Sequence, residues 1–201
     1  MHRIAMSVLA LAAIGMLPAS GTSQEKLSPE EKARRAAAYA ETTKPGPEHK
    51  QLEALVGTWD KEVRVWPSPG ANPMTFKGTS KNQMVLGGRF LRSEGVSGEG
   101  SVMIETLNII GFDRRYKQFT SVGYDTLGTY YVAAAGPYSD QEKAVVMSGE
   151  EHDPVLGVTR KYDMIIRFIS ADKYSQEVVF KDPAHTKADF KAAEIIYTRA
   201  R

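Results

Sequence analysis

Most of this chain follows a two-residue hydrophobic period, and this period constrains the fold more than any other feature. In the first such segment Trp59, Val63 and Val65 fall on one face. Asp60 and Glu62 fall on the other face, as in a strand that is buried on one side. Similar segments follow up to residue 199, separated by turn-forming clusters at regular spacing, and no long helical pattern interrupts them. The sequence therefore predicts an all-β, antiparallel fold of about nine or ten strands.

The strand edges favour a barrel over a sandwich. Many of the segments carry no proline or inward charge that would protect an exposed edge from pairing with another chain. Closing the sheet on itself removes the edges altogether. We therefore expect a closed β-barrel.

Two helices are predicted before the barrel. Ser28, Pro29 and Glu31 have the spacing of a helix start, with a serine cap, proline at the first helical position and glutamate three residues after the cap. Residues 44–47 (Lys-Pro-Gly-Pro) then interrupt the chain. A short amphipathic helix follows from Pro47 and ends at Gly57. The predicted domains are a signal peptide at 1–23, a helical arm and linker at 24–46, and the barrel at 47–201.

The first 23 residues have the layout of a secretory leader. One arginine precedes an apolar run over residues 4–17, and small and polar residues follow it. A membrane anchor is the alternative, but the run is shorter than the roughly 20 residues that a spanning helix needs. We expect export, a periplasmic location, and no stable membrane insertion after cleavage.

Composition excludes several classes of function. The chain has no cysteine, which excludes a disulfide framework, a thiol nucleophile and a cysteine metal site. Lysine and arginine number 26 against 24 aspartates and glutamates, without a basic stripe or clustered basic and aromatic residues. Nucleic acid is therefore not an expected partner.

The order of elements resembles the calycin group, which includes the lipocalins and the fatty-acid-binding proteins. The resemblance rests on a helix, then Gly57-x-Trp59 on the first strand, then a meander that ends in Tyr197-Thr198-Arg199. It implies that Trp59 closes one end of the barrel and that Arg199 lies across the indole as a cation on an aromatic face. It also implies a sharp turn at Gly57.

A closer resemblance is to the bacterial family known as domain of unknown function 1579. It rests on the run of residues 49–59 (HKQLEALVGTW), on 86–91 (LGGRFL), on 110–113 (IGFD) and on 197–199 (YTR), in that order. The resemblance covers about His49 to Arg199. It implies the barrel fold and no particular activity.

No catalytic residue can be assigned from the sequence. His49 is interpreted as a helix-capping or packing residue, and His152 as part of a polar turn rather than a metal site. His185 is either a haem ligand that reaches into the barrel or part of a surface turn, and the surface turn is favoured. There is no Gly-x-Ser-x-Gly motif, and the adjacent Glu150 and Glu151 would point to opposite sides of a strand. We predict no metal and no cofactor, and leave open whether the protein is an enzyme.

A ligand cavity is the remaining hypothesis, because small closed barrels can hold one molecule. Valines on the face of Trp59, a small residue on a neighbouring strand, aromatic residues and an arginine anchor form its predicted lining: Val63, Val65, Arg89, Tyr131, Ala133, Phe168 and Phe180. We predict binding of a small, mostly apolar molecule. The alternatives are an enzyme with convergent titratable side chains in the cavity and an interaction module with a filled barrel. The oligomeric state is not predicted.

Overall fold

The alternating segments form one antiparallel sheet that closes on itself. The computed structural model describes residues 27–100, 102–154, 157–181 and 188–201. Ten strands pair with their neighbours in a ring, and the pairing of residues 134–135 with residues 148–149 closes it. The predicted closed, antiparallel barrel is therefore confirmed. The predicted leader, residues 1–23, and His185 lie outside the described residues.

The elements match the predicted segments closely. The helices are α1 (Pro29–Thr42) and α2 (Pro47–Glu53), and the strands are β1 (Gly57–Val65), β2 (Met74–Val85), β3 (Phe90–Glu99), β4 (Val102–Asp113), β5 (Gln118–Asp125), β6 (Val132–Gly136), β7 (Tyr138–Ser139), β8 (Ala144–Asp153), β9 (Val158–Ser170), β10 (Lys173–Phe180) and β11 (Phe190–Arg199). The ring order is β6-β5-β4-β3-β2-β1-β11-β10-β9-β8, and β8 pairs back with β6. The two-residue β7 pairs with β8.

The predicted helix starts are confirmed. At α1 the Ser28 hydroxyl accepts a hydrogen bond from the Glu31 amide at 3.1 Å, as expected of a serine cap. At α2 the Nδ1 atom of His49 accepts from the Gly46 amide at 2.9 Å. The chain divides into two compact units at Ala37/Ala38, and the barrel and α2 belong to the second unit. Among the described residues, no helix combines the length and the apolar character needed to cross a membrane.

The barrel core is concentrated at the end that α2 covers, here called the closed half. Leu52 and Leu55 are three residues apart and pack with Trp59, Leu91 and Phe119. All five side chains are buried. Successive side chains along each strand point alternately into and out of the barrel. The paired strands therefore supply inward residues to the closed half from all sides of the ring. The closed half is a packed hydrophobic core.

A glycine allows the last seam of the barrel to close. Gly149 on β8 lies opposite Ala134 on β6, and a Cβ at Gly149 would lie 2.7 Å from the Tyr162 hydroxyl oxygen. The Tyr162 hydroxyl passes through this space and donates to the Ala133 carbonyl at 3.0 Å. The seam is thus held by a side-chain bond in addition to the two-residue pairing.

Candidate functional site in the barrel interior

The closed end of the barrel is built on Trp59 and Arg199. The Arg199 guanidinium lies 4.2 Å from the centre of the Trp59 ring, and the indole donates to the Leu55 carbonyl at 2.9 Å. Arg199 also donates to the carbonyls of Val56 and Ala54, at 2.9 and 3.2 Å. This is the arrangement that the calycin resemblance implies. One arginine therefore joins the end of α2 to the last strand.

Gly57 is required at this point for two reasons. Its φ is +134°, a conformation that glycine adopts far more readily than other residues. A Cβ at this position would also lie 2.6 Å from Nη1 of Arg199. The glycine two residues before the tryptophan thus leaves the space that the arginine occupies.

Polar side chains lie directly beneath this closure. Tyr197 stacks on Tyr174 with ring centres 4.1 Å apart, and Tyr174 meets Trp59 edge to face. Asn82 donates to the Leu55 carbonyl and to the Tyr174 hydroxyl, at 3.0 and 3.1 Å. The enclosed cavity at this level has a volume of about 10 Å³, which is room for about one water molecule. The closed half therefore cannot hold an organic ligand.

Beyond the tyrosines the barrel interior contains a buried lysine, Lys61. Lys61 is 6% exposed and pairs across the sheet with Tyr197 and Gly78, on the same inward face of β1 as Trp59. Burial lowers the pKa of its amine to about 8, and no other group contributes to the shift. None of the described residues gives Lys61 a hydrogen bond or an ion pair. A buried, unpaired ammonium is costly.

The Lys61 amine occupies the space that a side chain at Gly95 would fill. A Cβ built on Gly95 would lie 2.7 Å from Nζ of Lys61 and 2.9 Å from the Thr106 hydroxyl oxygen. Gly95 lies between Ser80 on β2 and Thr106 on β4 in one cross-strand row. The Ser80 hydroxyl is buried and lies beside the Tyr174 phenol, whose pKa it lowers as a hydrogen-bonding neighbour. The amine thus sits in a row of small and hydroxyl-bearing residues.

The inward side chains beyond Lys61, here called the far half, are less completely buried than those of the closed half. Val63 pairs with Ile195, and Val178 lies in the next inward row, opposite Ala193; all three valine and isoleucine side chains face inward and are only partly buried. Thr106, on the opposite side of the ring, is also partly buried. The inward side chains next to Lys61 are therefore more accessible to solvent than the packed core under α2.

Three other charged side chains of the far half pair with one another. Arg160 on β9 pairs with Glu151 at 3.0 Å and with Asp153 at 3.3 Å. Its guanidinium also lies 4.1 Å from the centre of the Phe180 ring. These carboxylates are engaged by Arg160, and they make no contribution to the lowered pKa of Lys61.

Four of the predicted lining residues face the interior. Val63 and Val65 lie on the inward face of β1 and are partly buried. Phe168 packs against the core, and Phe180 is 8% exposed and meets Tyr162 edge to face. Their contact with a ligand stays a prediction.

The other three predicted lining residues lie outside the barrel, and their placement was wrong. Ala133 is exposed and pairs with Val122, whereas its neighbour Ala134 is the buried, inward residue. Tyr131 precedes β6 and is 63% exposed. Arg89 lies in the turn between β2 and β3 and donates to the carbonyls of Thr43, Leu86 and Gly87.

Lys61 itself was missed, although a signal for it exists. It has the same parity as Trp59 and Val63 in β1, so the two-residue period already places it on the inward face. His49 is 4% exposed, and burial lowers the pKa of its imidazole, which suits its capping bond. His152 is exposed on β8. Within the described residues, no group of three or more His, Asp or Glu side chains is arranged to hold a metal ion.

Three solved structures illustrate the resemblance to known barrels. An S-type phycobiliprotein lyase from Guillardia theta is 9% identical, with a TM-score of 0.49 over 76% of this chain and 92% of that chain. A de novo designed fluorescence-activating β-barrel is 12% identical, with a TM-score of 0.39 over 74% and 96%. A redesigned β-barrel is 11% identical, with a TM-score of 0.38 over 75% and 95%.

No curated protein sequence matches this chain. A family model does match it, over residues 44–199, which is most of the chain and includes α2, the complete barrel and the Trp59–Arg199 closure. The chain therefore belongs to the family described as Protein of unknown function, DUF1579.

Proposed function

We propose that this protein binds a small, mostly apolar molecule with an acidic head group in the far half of the barrel. The observation that carries the proposal is Lys61, a buried amine without a partner among the described residues. The barrel fold is compatible with such a function, since barrels of this size can hold one small ligand.

The amine supplies the polar recognition. An ammonium that is buried without a counter-ion raises the free energy of the folded protein, and an incoming carboxylate, sulfonate or phosphate removes that cost. The Thr106 hydroxyl, near the amine at Gly95, adds a hydrogen-bonding group on the same row. A single anionic head is therefore the group that this interior lacks.

The apolar side chains supply the affinity for the rest of the ligand. Val63, Val178 and Ile195 are partly buried and face inward, so an apolar ligand body would cover them. Burial of about 300 Å² of apolar surface contributes about 7 kcal/mol before entropy costs. Micromolar binding requires about 8 kcal/mol after the costs of association, so the apolar body alone is not sufficient and the pairing of the head group with Lys61 must supply the remainder.

Two fluorescent probes that share one framework test the proposal. 1-Anilinonaphthalene-8-sulfonate (ANS) carries a sulfonate, and N-phenyl-1-naphthylamine (NPN) lacks it. We expect Lys61→Met to weaken ANS binding by about tenfold to a hundredfold, the range of a charge-assisted hydrogen bond, and to leave NPN binding within about twofold. The matched control is Lys77→Met, because Lys77 is an exposed lysine of β2.

Two results would contradict the proposal. If the wild-type protein binds neither probe, the barrel does not hold an apolar ligand. If Lys61→Met and Lys77→Met have equal effects on ANS, the amine does not recognise the head group. Circular dichroism of each variant distinguishes these results from loss of the fold.

We also propose that the mature protein acts in the periplasm after export. The charge, the apolar run and the small residues of positions 1–23 support this. Cell fractionation and N-terminal sequencing of the mature chain test it, and a cytoplasmic protein with an intact leader would refute it.

A further inference from the structure

We propose that Lys61 also condenses reversibly with apolar aldehydes that enter the barrel, and holds them as an imine. The inference rests on the proposed function in one respect, since both need the far half to admit an apolar molecule. It differs in chemistry. An anion pairs with the protonated amine, whereas a carbonyl reacts with the neutral amine.

The geometry singles out this lysine from the others. Lys61 is the buried lysine of the described chain, whereas Lys181 and Lys191 hold carboxylates at 2.6 and 2.7 Å. A lysine in a carboxylate pair is kept protonated, and its lone pair is not available for attack. The unpaired amine of Lys61, in an apolar interior, has no such restraint.

Each group that faces the amine is compatible with the neutral form. The cross-strand neighbours are Gly78 on β2 and Tyr197 on β11, and burial raises the pKa of the Tyr197 phenol, so it stays uncharged. Thr106 lies across Gly95 and is not titratable. Asp125 ends the row on β5, is exposed, and accepts a hydrogen bond from the Leu127 amide.

The populations of the two forms support both chemistries. The amine pKa is about 8, so about a tenth of the molecules carry a neutral amine at pH 7. An exposed lysine with the ordinary pKa has roughly 300-fold less neutral amine at that pH. The protonated majority remains available to an anion.

The reaction balances without an oxidant or a reductant. The Nζ lone pair forms a bond to the carbonyl carbon while the π electrons of the carbonyl move to its oxygen. A proton passes from nitrogen to that oxygen, which gives a carbinolamine. The nitrogen lone pair then forms the carbon–nitrogen double bond as the carbon–oxygen bond breaks; the departing hydroxide takes the remaining N–H proton and leaves as water, so a neutral imine remains. The Thr106 hydroxyl, near the space that the amine occupies, is the neighbouring group that can hydrogen-bond the carbinolamine oxygen.

Reductive trapping tests the inference on the full-length protein. The protein is incubated with decanal and sodium cyanoborohydride near pH 7, and the modified lysines are identified by peptide mapping. A trapped residue gains the mass of the aldehyde less one oxygen atom. Propanal is the matched reagent without an apolar body, and Lys77 is the exposed internal reference. Lys61→Arg keeps the cation but cannot form an imine.

We expect decanal to label Lys61 about tenfold or more faster than Lys77, and propanal to show a much smaller preference. Prior saturation with ANS should protect Lys61 in the wild-type protein, a result that needs no variant to fold. Lys61→Arg should lose the adduct at position 61, and labelling of Lys77 should stay unchanged.

The two proposals fail in different ways. If ANS binding depends on Lys61 but decanal labels Lys61 no faster than Lys77, the imine is refuted and the anion carrier stands. Equal preference for Lys61 with propanal and decanal would refute recognition of an apolar aldehyde. If neither ANS nor NPN binds and decanal shows no preference, both proposals are wrong.

Discussion

Replacing Lys61 by methionine should stabilise the protein, which is unusual for a substitution inside a barrel. Methionine has a similar length, no charge, and suits an irregular apolar space. Burial lowers the pKa of the Lys61 amine from 10.5 to about 8. The folded state therefore disfavours the protonated form, and each pKa unit corresponds to about 1.4 kcal/mol. The charge then costs the wild-type protein about 3 kcal/mol at pH 7.

The sign of the pH dependence follows from the same shift. Below pH 8 the amine is protonated in both states, and the full cost is present. Between pH 8 and 10.5 the folded protein loses the proton first, so the unfolded state binds more protons and wild-type stability rises with pH. The advantage of Lys61→Met should therefore fall from about 3 kcal/mol at pH 7 to about 1 kcal/mol at pH 10.

Urea denaturation of the wild type, Lys61→Met and Lys77→Met at pH 7 and pH 10 measures this difference. Titration of every other group cancels between wild type and variant, and the exposed Lys77 controls for the loss of one positive charge. Lys77→Met should change the free energy of unfolding by less than about 0.5 kcal/mol. A Lys61→Met variant that is no more stable than wild type at pH 7, or whose advantage is equal at both pH values, refutes the reasoning.

Two further predictions concern the structure around the site. Arg199→Leu removes the cation over Trp59 and the hydrogen bonds to the Ala54 and Val56 carbonyls. It should lower the free energy of unfolding by about 3 kcal/mol, as measured by urea denaturation followed by tryptophan fluorescence. A loss below about 1 kcal/mol would contradict a structural role. Arg115 holds the pKa of Asp113 at about 2, chiefly through its side-chain hydrogen bonds. The stabilisation is present above pH 4 and is lost as the pH falls through 2, so Arg115→Ala should lower the midpoint urea concentration of unfolding at pH 7 and leave it almost unchanged at pH 2. An equal change in the midpoint at both pH values would contradict this.

The fold and its closure could be predicted because their signals are long or local. Alternation over about ten segments indicates an antiparallel all-β fold, and the unprotected strand edges favour closure into a barrel. Gly57 and Trp59 are two residues apart, and this spacing reflects a steric requirement that the structure shows directly, since Arg199 fills the space beside Gly57. The residues of the closed end are therefore accessible to sequence reasoning.

The register of β6 was not predictable in the same way. Ala133, Ala134 and Ala135 are identical, so the sequence does not indicate which of them faces inward. The pairing of Ala134 with Ser121 and with Gly149 decides it, and these contacts join residues far apart in the chain. A shift of one residue placed Ala133 on the wrong face.

Arg89 was misplaced for a different reason. A Gly-Gly pair such as Gly87-Gly88 is typical of a two-residue hairpin turn, which would put Arg89 within a strand. The turn includes Leu86 as well, and Leu86, Gly87 and Gly88 all have positive φ. The longer turn places the Arg89 guanidinium on backbone carbonyls outside the barrel.

Lys61 connects these lines of reasoning. A lysine in a strand is ordinarily solvent-facing, so the natural interpretation of its sequence context is an outer surface position. A chain selected only to fold would place an apolar residue at this position, because an unpaired buried charge destabilises the protein and offers no packing in return. The structure also leaves the space at Gly95 for the amine. If Lys61→Met is more stable than wild type but binds ANS weakly and loses the decanal adduct, the cost of the lysine is explained by ligand recognition. If it is more stable and loses neither property, the charge has no role in binding, and the function of the barrel must be sought away from Lys61.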